Sequence, residues 1–204
     1  MKVNTNSWNR IRYTFYTPIY DLIGKYFAAS RKASVNSLEI KSGDKILIIG
    51  AGTGLDLEFL PQDCEITLTD ITPSMFEKVR RRNSKLKRNI VVLVMDGQDL
   101  TFSENSFDKI ILHLILAVIP DPVACLRETE RVLKAGGRVA VFDKFLPKNK
   151  KAGVVRKFFN LFTNLFFSDI TRDFESIQTK TIFRILSDVP ADFRGNFRRI
   201  LLSK

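Results

Sequence analysis

The sequence predicts an α/β fold: a mostly parallel sheet of seven strands that ends in an antiparallel hairpin. Three observations predict it. Short β-branched runs alternate with longer helical patterns through the middle of the chain, the reading of repeated βαβ units. Those runs are apolar almost throughout, as strands covered on both faces are. A last pair of runs is separated by a segment whose Pro and Gly supply a turn.

Taken in order, the strand candidates are 45–49 (KILII), 65–69 (EITLT), 90–94 (IVVLV), 109–113 (KIILH), 138–142 (RVAVF), 183–189 and 197–202, the last two joined through 190–196. Thr72 followed by Pro73 reads as an N-cap and first-turn proline opening a helix over 74–82. Asp121 followed by Pro122 does the same for 123–134. That helix carries one apolar stripe, Val123, Leu126, Val132 and Leu133, and is expected to close at Gly136 and Gly137. The 204 residues suit one domain over 1–204: an aromatic and basic arm (1–41), a core (42–144), and a basic amphipathic segment with the terminal hairpin (145–204).

Composition narrows the function classes. An apolar fraction of 45% with 27% charged residues excludes a disordered tail or a fibrous repeat. Two cysteines, Cys64 and Cys125, exclude a disulfide framework or a Cys-rich zinc module, and both read as packing residues; no metal is expected. With a polar N-terminus and no run of the roughly 18 apolar residues that a spanning helix needs, the expected location is the cytoplasm. The net charge is +11, and it sits on the flanks: +5 over 1–41, −1 over 42–144 and +7 over 145–204. Any anionic partner should therefore meet the flanks.

The sharpest motif is Gly50-Ala51-Gly52-Thr53-Gly54, which follows the first strand. Glycines there permit a tight turn and a close approach of backbone to ligand. Asp70 stands 20 residues beyond Gly50, at the end of the second strand, where an acid can accept hydrogen bonds from both hydroxyls of a ribose. The motif excludes neighbouring chemistries. Position 55 is Leu, so the third glycine comes one residue early for a dinucleotide fingerprint, and Leu55-Asp56 stands where a P-loop needs Lys-Ser/Thr.

Together with GAGTG (50–54), the stretches TDITPSMFEKVR (69–80), MDGQDLTFSENSFD (95–108), HLILAVIPDPVACLRETERVLKAGGRV (113–139) and the FD at 142–143 give the chain a resemblance to the class I S-adenosylmethionine-dependent methyltransferases, close over about 40–144. Within that family the phrasing is similar to the group containing ubiquinone/menaquinone C-methyltransferases and bacterial phosphatidylethanolamine N-methyltransferases. The resemblance implies a Rossmann-like, doubly wound sheet and S-adenosyl-L-methionine as cofactor. It implies that Gly50, Ala51, Gly52, Thr53 and Gly54 cradle the methionine part, Asp70 holds the ribose, Ile71 packs on the adenine, and Asp96 accepts from the adenine amino group beside Gly97. His113 and Leu114 would lie near the sulfonium. One departure stands out: the family usually has an acid two residues before the first glycine, and here that position is Ile48. Its loss bears on cofactor affinity, and it keeps open a different class of protein, one that binds the cofactor without transferring from it.

Methyl transfer from a sulfonium needs alignment and exclusion of water, and a base only where the acceptor carries a proton. The candidates for acceptor chemistry are His113, the only histidine, Asp143 at the end of the fifth strand, and Tyr16 in an arm that also carries Tyr13 and Tyr20. Each has a plainer reading: a core histidine, a structural acid, tyrosines that anchor the arm. The segment 148–167 (KNKKAGVVRKFFNLFTNLFF) places Val154, Val155, Phe158, Phe159, Phe162, Leu165 and Phe166 at helical spacing, with Lys148, Lys150, Lys151, Arg156 and Lys157 in its first half. This pattern suits an interfacial helix on an anionic membrane surface, which would make the protein peripheral on the inner face of a membrane. It suits equally the roof of an apolar acceptor pocket with its lysines solvated. The basic run 80–88 complements a helix C-terminus, and with no added nucleic-acid-binding module the sequence speaks against a nucleic-acid partner. The expected acceptor is a small lipophilic molecule, a phospholipid amine headgroup first, a quinone or thiol next.

Overall fold

The structure is a computed structural model describing residues 4–16, 20–148, 152–166 and 168–204. Seven strands form one sheet in the order β3-β2-β1-β4-β5-β7-β6: β1 Lys45–Ile49, β2 Glu65–Asp70, β3 Ile90–Val94, β4 Phe107–His113, β5 Leu133–Lys144, β6 Arg184–Pro190 and β7 Phe197–Ser203. The first five run parallel, while β7 enters antiparallel between β5 and β6. The chain therefore reverses about β1, with β2 on one side and β4 on the other. In a parallel sheet this opens a crevice at the carboxyl ends of the strands.

Alternation along β1 sorts the core into two layers. Leu47 and Ile49 join the cluster of Ile110, Leu112, Val139 and Val141, covered by α5 (Pro122–Val132) and α7 (Phe174–Gln178). Ile46 and Ile48 join Ile66, Leu68, Ile111 and Ala140 on the other face, covered by α3 (Ala28–Asn36) and α4 (Met75–Leu86). Helices thus cover both faces of the central strands, which is why β1 and β4 are apolar along most of their length, while of the edge strands β3 is partly and β6 largely exposed. Ile48 is a fully packed member of this layer.

The arm is helical, α1 Asn6–Tyr16 and α2 Tyr20–Tyr26 preceding α3. The amphipathic segment forms α6, Val154–Phe166, and a one-turn helix α8, Asp192–Gly195, fills the connection between β6 and β7. Three local expectations are corrected. The helix after Pro73 starts at Met75 with Ser74 as its cap, because Thr72 and Pro73 instead close the preceding turn through Met75 N–H to Thr72 C=O and Phe76 N–H to Pro73 C=O. Asp121 does cap α5, accepting from the N–H groups of Val123 and Ala124, but that helix stops at Val132. Gly136 and Gly137 lie inside β5 and pair with Lys204 beside β7. After the glycine loop only a 3-10 turn forms, Leu55–Phe59, and Pro61 blocks its continuation.

Candidate active site

The crevice holds a cleft built from strand ends. Ile49 and Gly50 follow from β1, Asp70, Ile71 and Thr72 from β2, Met95, Asp96 and Gly97 from β3, and Leu114, Ile115, Val118 and Ile119 from β4. Gly50 and Gly52 turn the backbone through positive φ, 68° and 54°. A Cβ on Gly50 would stand 2.7 Å from Ile115 Cδ1 and on a backbone that L-residues rarely adopt, so a substitution there is strained and must displace Ile115. The Asp70 carboxylate accepts from the N–H of Gly52 and of Thr72, both at 2.8 Å, and so ties the second strand end to the loop. Burial raises its pKa; those two hydrogen bonds oppose the rise.

Asp96 is claimed from two directions. Gln98 donates to it from backbone and side chain at 3.0 Å, and the Asn6 side chain donates at 2.5 Å from the arm. Asn6, Asn9 and Tyr13 of α1 form the outer wall of the cleft. With the arm in this position the cleft holds about 50 Å³.

The remaining loop residues act from behind. Ala51 N–H bonds to Thr69 C=O, and Gly54 begins the 3-10 turn at φ 76°. Thr53 is buried and donates its hydroxyl to Asp21 of α2 at 2.5 Å, while Arg82 of α4 bonds to both Asp21 and the Thr53 carbonyl. These three residues, expected to cradle a ligand, do not line the cleft itself and make bonds that fix the loop that Gly50 and Gly52 present.

His113 is the larger correction. It is buried below the crevice and lines neither cavity. Its Nδ1 lies 2.8 Å from Asp56 Oδ1 and its Nε2 lies 3.0 Å from Ser34 Oγ. Asp56 also accepts from Arg31 at 2.7 Å. Burial would raise the Asp56 pKa, but Arg31 and His113 outweigh it and hold the carboxyl well below the usual range. With both ring nitrogens engaged beneath the floor, His113 joins α3, the 3-10 turn and β4. In this arrangement neither ring nitrogen is directed into either cavity.

A second and much larger cavity, about 950 Å³, adjoins the cleft. The two share Tyr13, Leu114 and Val118. Leu114 holds a left-handed backbone, φ 59°, which costs an L-residue about 1–2 kcal/mol. Such strain marks positions where direction matters more than stability. The large cavity is lined almost wholly by carbon: Phe27 and Phe197 of an aromatic cluster with ring centroids 4.8 Å apart, Phe193 of α8, and Val155 and Phe159 of α6. Tyr16 and Asp143 line it, as the sequence suggested; the Tyr20 side chain lies outside the described residues. Asp143 accepts from the N–H groups of Ala117 at 2.9 Å and Lys144 at 2.7 Å, and burial pushes its pKa up to about 6.

Helix α6 serves both readings of its segment. Val155, Arg156 and Phe159 line the cavity at its open side, Val155 and Phe159 being 70% and 56% exposed, and Val154, Phe158 and Phe162 are exposed as well. Lys148 and Lys157 are exposed, but Arg156 turns inward. Lys150, Lys151 and Phe167, and the side chains of Leu165 and Phe166, lie outside the described residues. Among the described residues no helix is long and apolar enough to cross a membrane. Sequence reasoning missed Asn6, Asn9, Lys144 and Ser168, none of which sits in a motif.

Comparison with known proteins finds likeness to methyltransferases. A family described as a methyltransferase domain matches residues 47–141. The chain is 26% identical over 149 residues to a phosphatidylethanolamine N-methyltransferase of Cereibacter sphaeroides, covering 72% of this chain and 73% of that one. It is 32% identical over 119 residues to a demethylmenaquinone methyltransferase of Tropheryma whipplei, covering 58% of this chain and about half (49%) of that one. A thiol S-methyltransferase, TMT1B of Mus musculus, is 30% identical over 110 residues, 52% of this chain and 45% of that one. Among solved structures, the YcgJ protein of Bacillus subtilis superposes with a TM-score of 0.68 at 21% identity, over 81% of this chain and 74% of that chain, a likeness of fold.

Proposed function

We propose that this chain is a class I S-adenosylmethionine-dependent methyltransferase and that it methylates a small lipophilic acceptor, a phospholipid amine headgroup in first place. The observation that carries the reading is the adjacency of the two cavities: an apolar chamber of about 950 Å³ shares Tyr13, Leu114 and Val118 with the cleft that bears Asp70 and Asp96. The relatives' names support the acceptor class, since they cover a phospholipid, a quinone and a thiol substrate. A quinone or thiol acceptor is the alternative.

The residues of the cleft fit S-adenosylmethionine. Two carboxylates suit hydroxyl and amino donors, and the Gly50–Gly52 backbone leaves room for close approach. The volume fits only when α1 withdraws, because small-ligand sites run to roughly 300–1,000 Å³. When bound, the cofactor supplies a methyl group on a positively charged sulfur, already activated for displacement. Asp70 and Asp96 hold the adenosyl end. Leu114, Val118 and Tyr13 align the acceptor and exclude water, and alignment of this kind is worth ~7 kcal/mol or more in well-oriented intramolecular reactions. Asp143, poised near neutrality, takes a proton from an amine or hydroxyl acceptor, and the Tyr16 hydroxyl polarises it. The exposed face of α6, with Lys148 and Lys157 beside it, rests on an anionic membrane surface and admits the acceptor from there.

Incubation with the cofactor and mixed lipid or quinone extracts tests the activity. Release of S-adenosylhomocysteine above background is expected, and tight cofactor binding without turnover on any acceptor would mark a binding protein instead. Sedimentation with vesicles tests the membrane contact: it should require anionic lipid and weaken with salt, and equal sedimentation with neutral vesicles would refute it.

A further inference from the structure

Two cations stand in the wall of the apolar cavity with neutral partners. Lys144 Nζ donates to Ser168 Oγ at 3.1 Å and lies 5.5 Å from the centre of the Phe197 ring. Arg156 donates from Nε to the Ile170 carbonyl at 2.6 Å and from one terminal nitrogen to Asn196 Oδ1 at 2.9 Å. Among the described residues neither forms an ion pair with a carboxylate. The acids nearest them are occupied. Asp143 is held by the two backbone N–H groups already described, and Asp169 pairs with Arg172 at 3.4 Å and accepts from Thr171.

An ammonium carries three N–H donors and a guanidinium five, and these hydrogen bonds use one and two of them. The two positive charges also repel each other. Burial lowers the Lys144 pKa and Arg156 lowers it further, against the opposite pull of Asp143. Cations withdrawn from water toward an apolar wall cost free energy unless an anion joins them. Here the two flank one volume, with the Ser168 hydroxyl and the Asn196 side chain beside them.

We propose that Lys144 and Arg156 form an anion subsite inside the large cavity, so that its ligand is an amphiphile carrying a phosphate or carboxylate group on an apolar body. This rests on the reading of that cavity as the acceptor chamber, and it sharpens the acceptor class. A neutral quinone leaves both cations unmatched, whereas a phospholipid places its phosphodiester between them. The rest of the lining, Phe27, Phe159, Phe193 and Phe197 among it, takes the apolar part.

The test is direct binding, independent of turnover, by titration calorimetry with decyl phosphate, decanoate and decanol below their aggregation limits. The full chain should bind the two anions at least tenfold more tightly than decanol. Comparison of decyl phosphate with decanoate separates a phosphate-bearing ligand from a carboxylate. In Lys144→Gln and Arg156→Gln the preference should fall at least fivefold while decanol affinity stays within twofold. Lys144→Arg, which keeps the charge, should retain the preference and guards against a variant that merely misfolds. Equal affinity for all three compounds, or a preference unchanged in both glutamine variants, overturns the subsite and leaves the acceptor chamber standing. Failure of all three to bind overturns the chamber and the subsite with it.

Discussion

Asn6 donates a 2.5 Å hydrogen bond to Asp96 across 90 positions of sequence, joining the first helix of the arm to the end of the third strand. The acid assigned to the cofactor's amino group is thus held by the protein's own amide while the cleft is narrow. Hydrogen bonds to a charged group contribute about 1.5–3 kcal/mol. Asn6→Ala should therefore loosen the arm and speed cofactor association severalfold. Trp8, the only tryptophan, lies on the same helix, so stopped-flow fluorescence reads the event directly. An unchanged association rate would show that the arm does not gate the cleft.

Asp70 ties the loop to the second strand end through Gly52 and Thr72 while lining the cleft, where it is proposed to hold the ribose. Asp70→Ala should weaken cofactor binding at least tenfold by calorimetry. Because burial raises the Asp70 pKa, affinity should fall as pH drops and the carboxylate takes up a proton. Affinity unchanged in the variant would remove the assignment.

Asp56 should matter to stability and not to chemistry. Asp56→Asn breaks the buried ion pair with Arg31, a change that costs about 3–5 kcal/mol. At 2–4 °C per kcal/mol for a chain of this size, the melting temperature should fall by roughly 10 °C. Its depressed pKa also has a signed consequence. The unfolded carboxyl, with pKa about 3.9, protonates first on acidification, so stability is lost as pH falls below ~4. His113→Gln should likewise lower the melting temperature while kcat of the folded fraction stays within about threefold.

Asp143 titrates in the opposite sense. Its folded pKa of about 6 lies above the unfolded value of roughly 3.9, so the folded state holds the extra proton between those values. This group's contribution to stability therefore declines as pH rises from ~4 to 6. Catalysis should run the other way. Initial rates should climb through pH 6 as the carboxylate forms, and Asp143→Asn should lower kcat at pH 8 by a factor on the order of 100, the lower range for a positioned base. The cofactor dissociation constant should move less than about threefold. A rate profile flat from pH 5 to 8 would assign Asp143 a structural role.

The sheet was legible from its short β-branched runs: the buried β1 and the edge strand β3 both match the expected bounds, and the glycine loop with Asp70 marked the cleft. Side-chain direction was not legible. Thr53 sits in the loop motif, yet its hydroxyl turns away to Asp21, and His113 ends a strand at the crevice but points beneath it toward Asp56. Spacing along one chain says which residues share a neighbourhood and not which way each one faces. The contributions of Asn6 and of Lys144 with Arg156 were hidden for another reason. Asn6 reaches Asp96 across 90 positions, and Lys144 and Arg156 meet at one cavity from a strand end and from the amphipathic segment, whose pattern marks a helix but not the direction of each side chain.

Tyr13 is a wall of both chambers. Movement of the first helix would open both compartments at once, so the expected order of filling is donor before acceptor, with the demethylated donor leaving last. In steady-state kinetics the spent donor should then inhibit competitively against the fresh one and in a mixed pattern against the acceptor.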